Sequence, residues 1–317
     1  MSCCLLFAAM ILQGQDINIP ADYQTIQEGI NASNPGDTII VADGIYYERI
    51  NFMGKKPLIV ASMYLTDGNE DHIANTILDG SLIPYSNRSV VNFVLQEDTT
   101  SVLCGFTIQH GTGTYYEADG LAFRAGGGIF ISGSGAKIIH NHLTENLLNF
   151  NLLADTIDIF DGSAIATQWM ADQSWVVIEN NVIDHNTCIS KKYQAGGAGI
   201  CVYCNTRIAD NIITDNISMG QESSSAFSGA VACATDPAWN TTVTAIIKNN
   251  LIADNTAQSE NSWACGAGAY IQHVIGIFQD NIVQDNQLIT YPTAGGSGGL
   301  GVYLPLEGTI ISGNRFI

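Results

Sequence analysis

The stretch IADNIITDN (residues 208–216) contains the pattern that decides the fold: an apolar residue, two others, Asn, one other, an apolar residue, two others and a second Asn. The pattern returns as IIHNHLTEN (138–146), VIENNVIDHN (177–186), IKNNLIADN (247–255), IFQDNIVQDN (277–286) and, shortened, ISGNRF (311–316). The first Asn recurs after 40, 30, 39, 31 and 33 residues, counted along Asn141, Asn181, Asn211, Asn250, Asn281 and Asn314. Helical repeats keep a fixed period, whereas a β-solenoid tolerates insertions at solvent-facing turns. The variable spacing therefore favours a β-solenoid.

A second pattern, small residues followed by apolar alternation, precedes each copy, as in GAGICVY (197–203). Alternation with period two predicts a strand with one face inside. Aligning the copies predicts two inward columns, one of Ile129, Ile165, Ile200, Val231, Ala269 and Val302, the other of Ile131, Thr167, Val202, Cys233, Ile271 and Leu304. The residues between them are expected to point outward. Each unit then contains three short strands, and about eight coils give a rod of roughly 40 Å.

The Asn residues are predicted to occupy sharp bends, because Asn and Gly tolerate a left-handed backbone. Gly105 meets the same demand in an earlier unit. Stacked Asn side chains are also expected to hydrogen-bond along the axis.

The two ends of the chain carry different signals. Residues 1–12 are apolar and resemble the core of a secretory signal, so residues 1–15 are interpreted as a signal segment and residues 16–317 as the solenoid. A buried first strand is the alternative. Asp22 is predicted to cap a short helix whose Tyr23, Ile26 and Ile30 share one face and cover the first coil. Ile317 falls in mid-coil, so we expect an uncapped C-terminal edge that a further domain or partner covers.

Composition restricts the partners. The chain has 30 acidic and 11 basic side chains and a formal charge of -19. Such a charge repels nucleic-acid phosphates and anionic lipids over a Debye length of ~8 Å. No apolar run is long enough to span a bilayer, which takes about 20 residues. One C-x-x-C pair, Cys201 and Cys204, lacks the second pair that a zinc site requires.

The sequence resembles the right-handed parallel β-helix proteins of the pectin-lyase-like superfamily over residues 17–317. The resemblance is carried by residues 19–50 (IPADYQTIQEGINASNPGDTIIVADGIYYERI), by TILDG (76–80), CGFTIQHG (104–111) and GGGIFIS (126–132), and by the Asn-anchored units. It implies an all-β, single-stranded right-handed parallel β-helix with a short N-terminal capping helix, secreted or at the cell surface. It also implies a carbohydrate-facing groove on the outward face of the first strand. The catalytic motifs of pectin methylesterases, polygalacturonases and pectate lyases have no clear counterparts here.

Candidate sugar-binding residues lie on the outward positions of the first strand and in the segments before it. Six segments of variable length are expected to form a wall of loops along one edge: 111–125, 147–161, 187–195, 217–227, 256–265 and 287–297. Aromatic and amide side chains suit sugars, whose C–H faces stack and whose hydroxyls need partners. The predicted substrate-binding residues are Phe130, Gln168, Tyr203, Tyr270, Gln272, Trp263 and Tyr303. The alternative is an aromatic ladder that only stiffens the sheet.

Charged residues in the same wall suggest chemistry. Arg124, Lys191 and Lys192 are candidate catalytic residues, because a uronate lyase must neutralise the substrate carboxylate before its α-proton is removed. Asp155, Asp158 and Asp161 are candidate Ca²⁺ ligands, or an acid and base for glycoside hydrolysis. A solvated basic pair and an acidic surface loop are the alternatives.

Two functional hypotheses follow. The first is a secreted or cell-surface β-helix that binds a polysaccharide, acidic ones included, with polyuronate lyase or glycoside hydrolase activity in the groove. The second is a non-catalytic, adhesin-like surface module. If the protein is an enzyme, the sequence favours a lyase over a hydrolase or esterase.

Overall fold

Each repeat of the sequence forms one coil of short strands separated by sharp bends. The computed structural model describes residues 14–82, 89–150, 157–168, 172–238, 241–290 and 295–317. Within these residues the strands form five sheets, whose neighbouring strands come from successive coils. The strand pairings in this part of the chain are parallel, apart from the hairpin of Thr114–Ala118 with Leu121–Ala125.

Three sheets enclose the core. Sheet 1 contains Asp16–Ile19, Thr38–Val41, Leu58–Ser62, Ser101–Cys104, Ala136–Ile139, Asp172–Glu179, Cys204–Ala209, Thr244–Lys248, Ile275–Gln279 and Ile310–Ser312. Sheet 2 contains Gly44–Tyr46, Thr76–Asp79, Thr107–Gln109, His142–Thr144, Val182–Asp184, Ile212–Thr214, Leu251–Ala253, Ile282–Gln284 and Arg315–Phe316. Sheet 3 contains Ile50–Asn51, Val91–Phe93, Ile129–Ile131, Ile165–Thr167, Ile200–Val202, Val231–Ala234, Ala269–Gln272 and Leu300–Tyr303. The predicted all-β parallel β-helix is confirmed.

Two further sheets form a lobe beside the core. Sheet 4 contains Leu147–Asn149, Thr187–Ser190, Ile217–Gly220, Thr256–Ser259 and Gln287–Thr290. Sheet 5 contains Thr114–Ala118, Leu121–Ala125, Ile159–Asp161, Gln194–Gly196, Ser225–Phe227 and Ala264–Cys265. They pack face to face through Leu148 and Cys188 of sheet 4 and Phe160 and Ala195 of sheet 5. The variable segments therefore lie together, as expected, but much of their length is strand, where loops were predicted.

Most residues of the predicted inward columns of sheet 3 are buried, but Val302 and Leu304 of the last coil are 37% and 50% exposed, and their register differs from the prediction. Ile129, Ile165, Ile200, Val231 and Ala269 are neighbours in successive strands. In the last strand Ala269 pairs with Leu300 and Ile271 with Val302, so the predicted positions of Val302 and Leu304 were wrong by two residues. A slip of two residues leaves the same side chains facing inward, which is why alternation alone did not reveal it.

Two buried columns of asparagine run along the bends that flank sheet 2. In the first column, Asn181 Nδ2 donates to Asn211 Oδ1 at 3.0 Å and to the Ile138 carbonyl at 2.9 Å. The backbone N–H of Asn181 donates to the same Asn211 oxygen at 2.9 Å. The second column consists of Asn146, Asn186, Asn216, Asn255 and Asn286.

The left-handed backbone lies one residue before each ladder Asn, as at Asp210 (φ 58°) and Asp215 (φ 57°), and not at the Asn itself as predicted. Gly105 (φ 83°) occupies this position in its coil, as expected, since the following Phe106 N–H donates to Asn141 Oδ1. The Asn side chains can therefore form the hydrogen bonds that run along the solenoid axis from coil to coil.

A helix covers the first coil. It spans Ile26–Ala32 and buries Ile26 and Ile30. Its N-cap is Thr25, whose side chain accepts from the Glu28 N–H in a capping box, so the prediction of Asp22 as the cap was wrong. The shorter helices are Tyr64–Asp67 and Asp71–Asn75. In the part of the chain that the structure covers, no helix has the length and apolar character needed to cross a membrane.

Candidate functional site

A groove runs along the axis where sheet 5 meets the outward face of sheet 3. The chain passes from one sheet to the other through a residue with a left-handed backbone: Gly126, Gly162, Gly197, Ser228 and Gly266. At Gly197 (φ 47°) a Cβ atom would lie 2.2 Å from the Ile200 carbonyl oxygen, so a side chain at this position would require the local backbone to shift. Residues of sheet 5 line one side of the groove and residues of sheet 3 line the other.

The middle of the groove deepens into a pocket. The coil that carries Ala232 and Ala234 lies between the coil of Tyr203 and the coil of Tyr270. Because alanine side chains are short, the space above them stays open. The pocket has a cavity volume of about 90 Å³ and opens to solvent, and it is lined by Gln194, Gly196, Cys201, Tyr203, Phe227, Ala232, Ala234, Tyr270 and Gln272. Concave sites with few polar groups are typical of ligand pockets.

Asp161 lies buried behind this lining. The Tyr203 hydroxyl donates to Asp161 Oδ2 at 2.7 Å, and Gln194 Nε2 donates to Oδ1 at 3.3 Å. Cys201 Sγ lies 3.3 Å from the same tyrosine oxygen. Desolvation raises the pKa of Asp161 to about 6, although the hydrogen bond from Tyr203 opposes the rise. The pKa of Asp161 therefore lies closer to neutral pH than that of an ordinary aspartate.

Aromatic rings continue from the pocket in both directions. On one side the Phe227 and Trp263 ring centroids lie 5.3 Å apart, and Trp263 lies 6.5 Å from both Tyr270 and Tyr303. On the other side Tyr116 lies 5.6 Å from Phe130. Pairs at these separations are in the range of favourable aromatic contacts.

The structure places the seven predicted sugar-binding residues along this one groove. Tyr270 and its hydrogen-bonded neighbour Gln272 line the pocket (2.7 Å between Tyr270 Oη and Gln272 Oε1). Gln168, directly after a sheet 3 strand, hydrogen-bonds with Ser132 of the preceding coil. Tyr303 is 49% exposed, beyond the pocket.

The predicted catalytic cations do not line the pocket. Arg124 is buried, and its Nη1 donates to the Gly113 carbonyl at 3.0 Å. It neighbours Phe160 in sheet 5, on the face that packs against sheet 4. Lys191 pairs with Glu222 at 2.9 Å, and Lys192 pairs with Asp158, both after the sheet 4 strand Thr187–Ser190. All three lie away from the pocket because alternation along the strand and the turn between the sheets direct them elsewhere.

The predicted calcium ligands are not brought together among the described residues. Asp158 accepts from the Ala122 N–H at 2.8 Å and pairs with Lys192, while Asp161 is occupied by Tyr203 and Gln194. Asp155 lies outside the described residues. Within the described ranges no group of three or more His, Cys, Asp or Glu side chains could hold a metal ion.

Sequence reasoning did not assign Gln194, Gly196 and Phe227 to the site. All three belong to sheet 5, which was predicted as loops, so their alternation toward the groove was not considered. The sequence did contain a signal for the pocket: Ala232 and Ala234 occupy both outward positions of one strand. A coil with short outward side chains between two coils that carry tyrosines leaves a hollow.

The molecule is thus a parallel β-helix with an aromatic, amide-lined groove. No protein-family model matches the chain, and no curated protein matches it. Among solved structures, the crystal structure of alginate lyase from Paenibacillus sp. str. FPU-7 is similar, with 12% sequence identity over 92% of this chain and 98% of that chain and a TM-score of 0.36. At this identity and TM-score the similarity carries no argument about function.

Proposed function

We propose that this β-helix binds a neutral polysaccharide along the groove, with one sugar ring seated in the pocket between the coils of Tyr203 and Tyr270. The observation that carries the proposal is the lining itself. It combines aromatic rings, two glutamine amides and tyrosine hydroxyls around a hollow floored by alanines. Aromatic faces stack on sugar C–H groups, and amides pair with hydroxyls as both donors and acceptors.

The charge of the site favours a neutral glycan over an acidic one. The described lining residues include no Lys, Arg or His, and the carboxyl group that touches the lining is Asp161. A uronate would therefore enter the pocket without a positive partner, near a buried acid and within a chain of formal charge -19.

Binding to a panel of soluble polymers tests the proposal. β-Glucan, xylan and mannan represent neutral chains, and alginate and polygalacturonate represent uronates, with affinity measured by calorimetry. The substitution Ala234→Phe fills the hollow from its floor, and Gln272→Ala removes an amide. We expect each to weaken binding at least about tenfold, while Tyr47→Ala, at an exposed site outside the lining, leaves it unchanged. Preferential binding of uronates, or full affinity of the Ala234→Phe variant, would contradict the proposal.

A catalytic role is the second candidate, and the contact between Asp161 and Tyr203 favours it. A carboxyl group with a pKa of about 6 beside a tyrosine hydroxyl is suited to acid–base chemistry. Glycoside hydrolysis normally uses two carboxyl groups about 5 to 9.5 Å apart, and uronate elimination needs a cation near the substrate carboxylate. The described lining supplies neither, so we place binding first.

Product assays distinguish these candidates. Each polymer is incubated with the protein and followed by the absorbance of unsaturated products and by release of reducing ends. We expect no product. Product formation that Asp161→Asn or Tyr203→Phe abolishes would establish catalysis, and failure of every polymer to bind would favour the non-catalytic display module.

We also propose that the protein acts outside the cell or at its surface and belongs to the pectin-lyase-like superfamily. The apolar residues 1–12, which lie outside the described residues, support export. Fractionation of cells expressing the full chain tests the location, and retention of the whole pool inside the cell would contradict it.

A further inference from the structure

The outward face of sheet 2 carries an exposed apolar stripe. Strand register places Val182, Ile212, Leu251 and Ile282 side by side in four successive coils. Ile212 is 45% exposed and Ile282 is 39% exposed. At ~4.8 Å per coil the stripe is about 14 Å long. We call these four residues the apolar stripe.

The stripe is local to these coils. In the two preceding coils the same column holds the polar residues Thr107 and His142, which separate the stripe from Ile77 and Ile45 of the earlier coils, and in the next coil it holds Arg315. The inward neighbours of the stripe are Ile183, Ile213, Ile252 and Val283, so these strands are apolar on both faces. Parallel strands that are apolar on both faces are typical of sheets covered on both sides.

Acidic side chains flank the stripe along both bends. Asp210 and Asp280 lie on one side, and Asp215, Asp254 and Asp285 lie on the other, all exposed with left-handed backbones. The backbone at these bends accepts Asn equally well, as Asn180 and Asn249 show, so the bend geometry does not require a charge. The nearby basic residues are Lys248 and Arg315, fewer than the five aspartates.

We propose that the apolar stripe and its flanking aspartates form a docking surface for a protein segment that presents apolar side chains bordered by Lys or Arg. The apolar side chains cover the stripe, and the basic side chains pair with the aspartates on both sides. A second copy of this chain fits poorly, because a symmetric contact would bring like charges together. A sugar fits poorly as well, since the stripe lacks aromatic rings and amides. The surface lies on a different sheet from the groove and is independent of sugar binding.

Labelled peptides test the surface with the full chain. One peptide alternates Lys with Ile and Val, a second replaces Lys by Glu, and a third replaces Ile and Val by Ser. Affinity is measured by fluorescence anisotropy at two ionic strengths. We expect the first peptide to bind, more weakly at higher salt, and the other two to bind at least roughly tenfold more weakly.

Two sets of variants separate the apolar and charged parts. The double substitution Ile212→Ser and Ile282→Ser should weaken binding of the first peptide roughly tenfold. A triple variant tests the charged part: Asp215→Asn, Asp254→Asn and Asp285→Asn. Asn tolerates the left-handed backbone, so this variant should keep the bends and weaken binding of the first peptide roughly fivefold. The matched control, with the same change in charge, consists of Asp119→Asn, Asp236→Asn and Glu307→Gln and should leave affinity within about twofold.

Four results would overturn the proposal. They are absence of binding by all three peptides, equal binding of the Glu peptide, full affinity of the serine variant, and a dimer in light scattering that the serine variant dissociates. The last result would assign the surface to a second copy of the chain.

Discussion

The substitution Asp161→Asn removes the buried charge behind the groove while keeping the size of the side chain. Burial raises the pKa of Asp161 to about 6 in the folded protein, against an ordinary value of 3.8. The folded state therefore holds the proton more tightly than the unfolded state, and the wild-type protein loses stability as the pH rises from 3.8 through 6. Since one pKa unit corresponds to about 1.4 kcal/mol, the loss is about 3 kcal/mol above pH 6, and about half of it is present at pH 5.

Asparagine at this position has no charge to bury, and its Oδ1 can still accept from the Tyr203 hydroxyl. We therefore expect the free energy of unfolding of the variant, relative to wild type, to increase by about 3 kcal/mol between pH 3.5 and pH 7.5. Urea unfolding of both proteins, followed by tryptophan fluorescence at five pH values in this range, measures the difference.

Asp158→Asn is the matched control, on the same segment. Burial raises the pKa of Asp158, but the hydrogen bond from Ala122 and the contact with Lys192 outweigh burial and lower the pKa overall. Its carboxylate stabilises the fold above the ordinary pKa, and that stability is lost as the pH falls. The difference between the Asp158→Asn variant and wild type should therefore change with pH in the opposite direction. If the Asp161→Asn difference stays constant from pH 3.5 to 7.5, the assignment of a buried, proton-binding carboxyl group is refuted.

Three further predictions concern the scaffold. Asn216→Ala leaves several buried donors and acceptors in the second asparagine column without partners. It should therefore lower the free energy of unfolding, measured with urea, by at least about 3 kcal/mol. A loss below about 1 kcal/mol would show that the column is not stabilising. Gly197→Ala places a Cβ against the Ile200 carbonyl and should cost more stability than Gly133→Ala, whose Cβ meets open space, as a comparison of melting temperatures will show. The six buried cysteines among the described residues should resist a thiol reagent in the native protein and react after unfolding, so rapid native labelling detected by mass spectrometry would contradict their burial.

Much of the core was predictable because it depends on local patterns. The period-two alternation around Ile200 and the recurring asparagines define strands, bends and coils without knowledge of distant contacts. The same alternation could not determine the register of Leu300 and Val302, because a shift by two residues preserves the inward face. Tertiary stacking decides between the two registers.

The site was less predictable because it depends on which face of sheet 5 each residue occupies. Asp161 was predicted as a metal ligand or as an acid or base for hydrolysis, and the sequence did not show that Tyr203 would reach it from a later coil. Arg124 was placed in the same wall, yet strand alternation turns it toward sheet 4. The sequence identified the wall but not the direction of its side chains.

The asparagine columns also restrict which insertions and deletions of residues can lengthen or shorten the solenoid. After the first member of each column, each asparagine oxygen receives hydrogen bonds from the asparagine one coil earlier, so deleting residues 211–249 would place Asn250 where Asn211 now meets Asn181. A deletion within residues 208–216, which hold both asparagines of that coil, would leave the columns mismatched at that level, whereas the turns outside this stretch tolerate changes, since neighbouring asparagines of the first column already lie 40 or 30 residues apart. Whole coils are therefore the natural unit by which the asparagine columns gain or lose length, and the groove shortens or lengthens by the same increment.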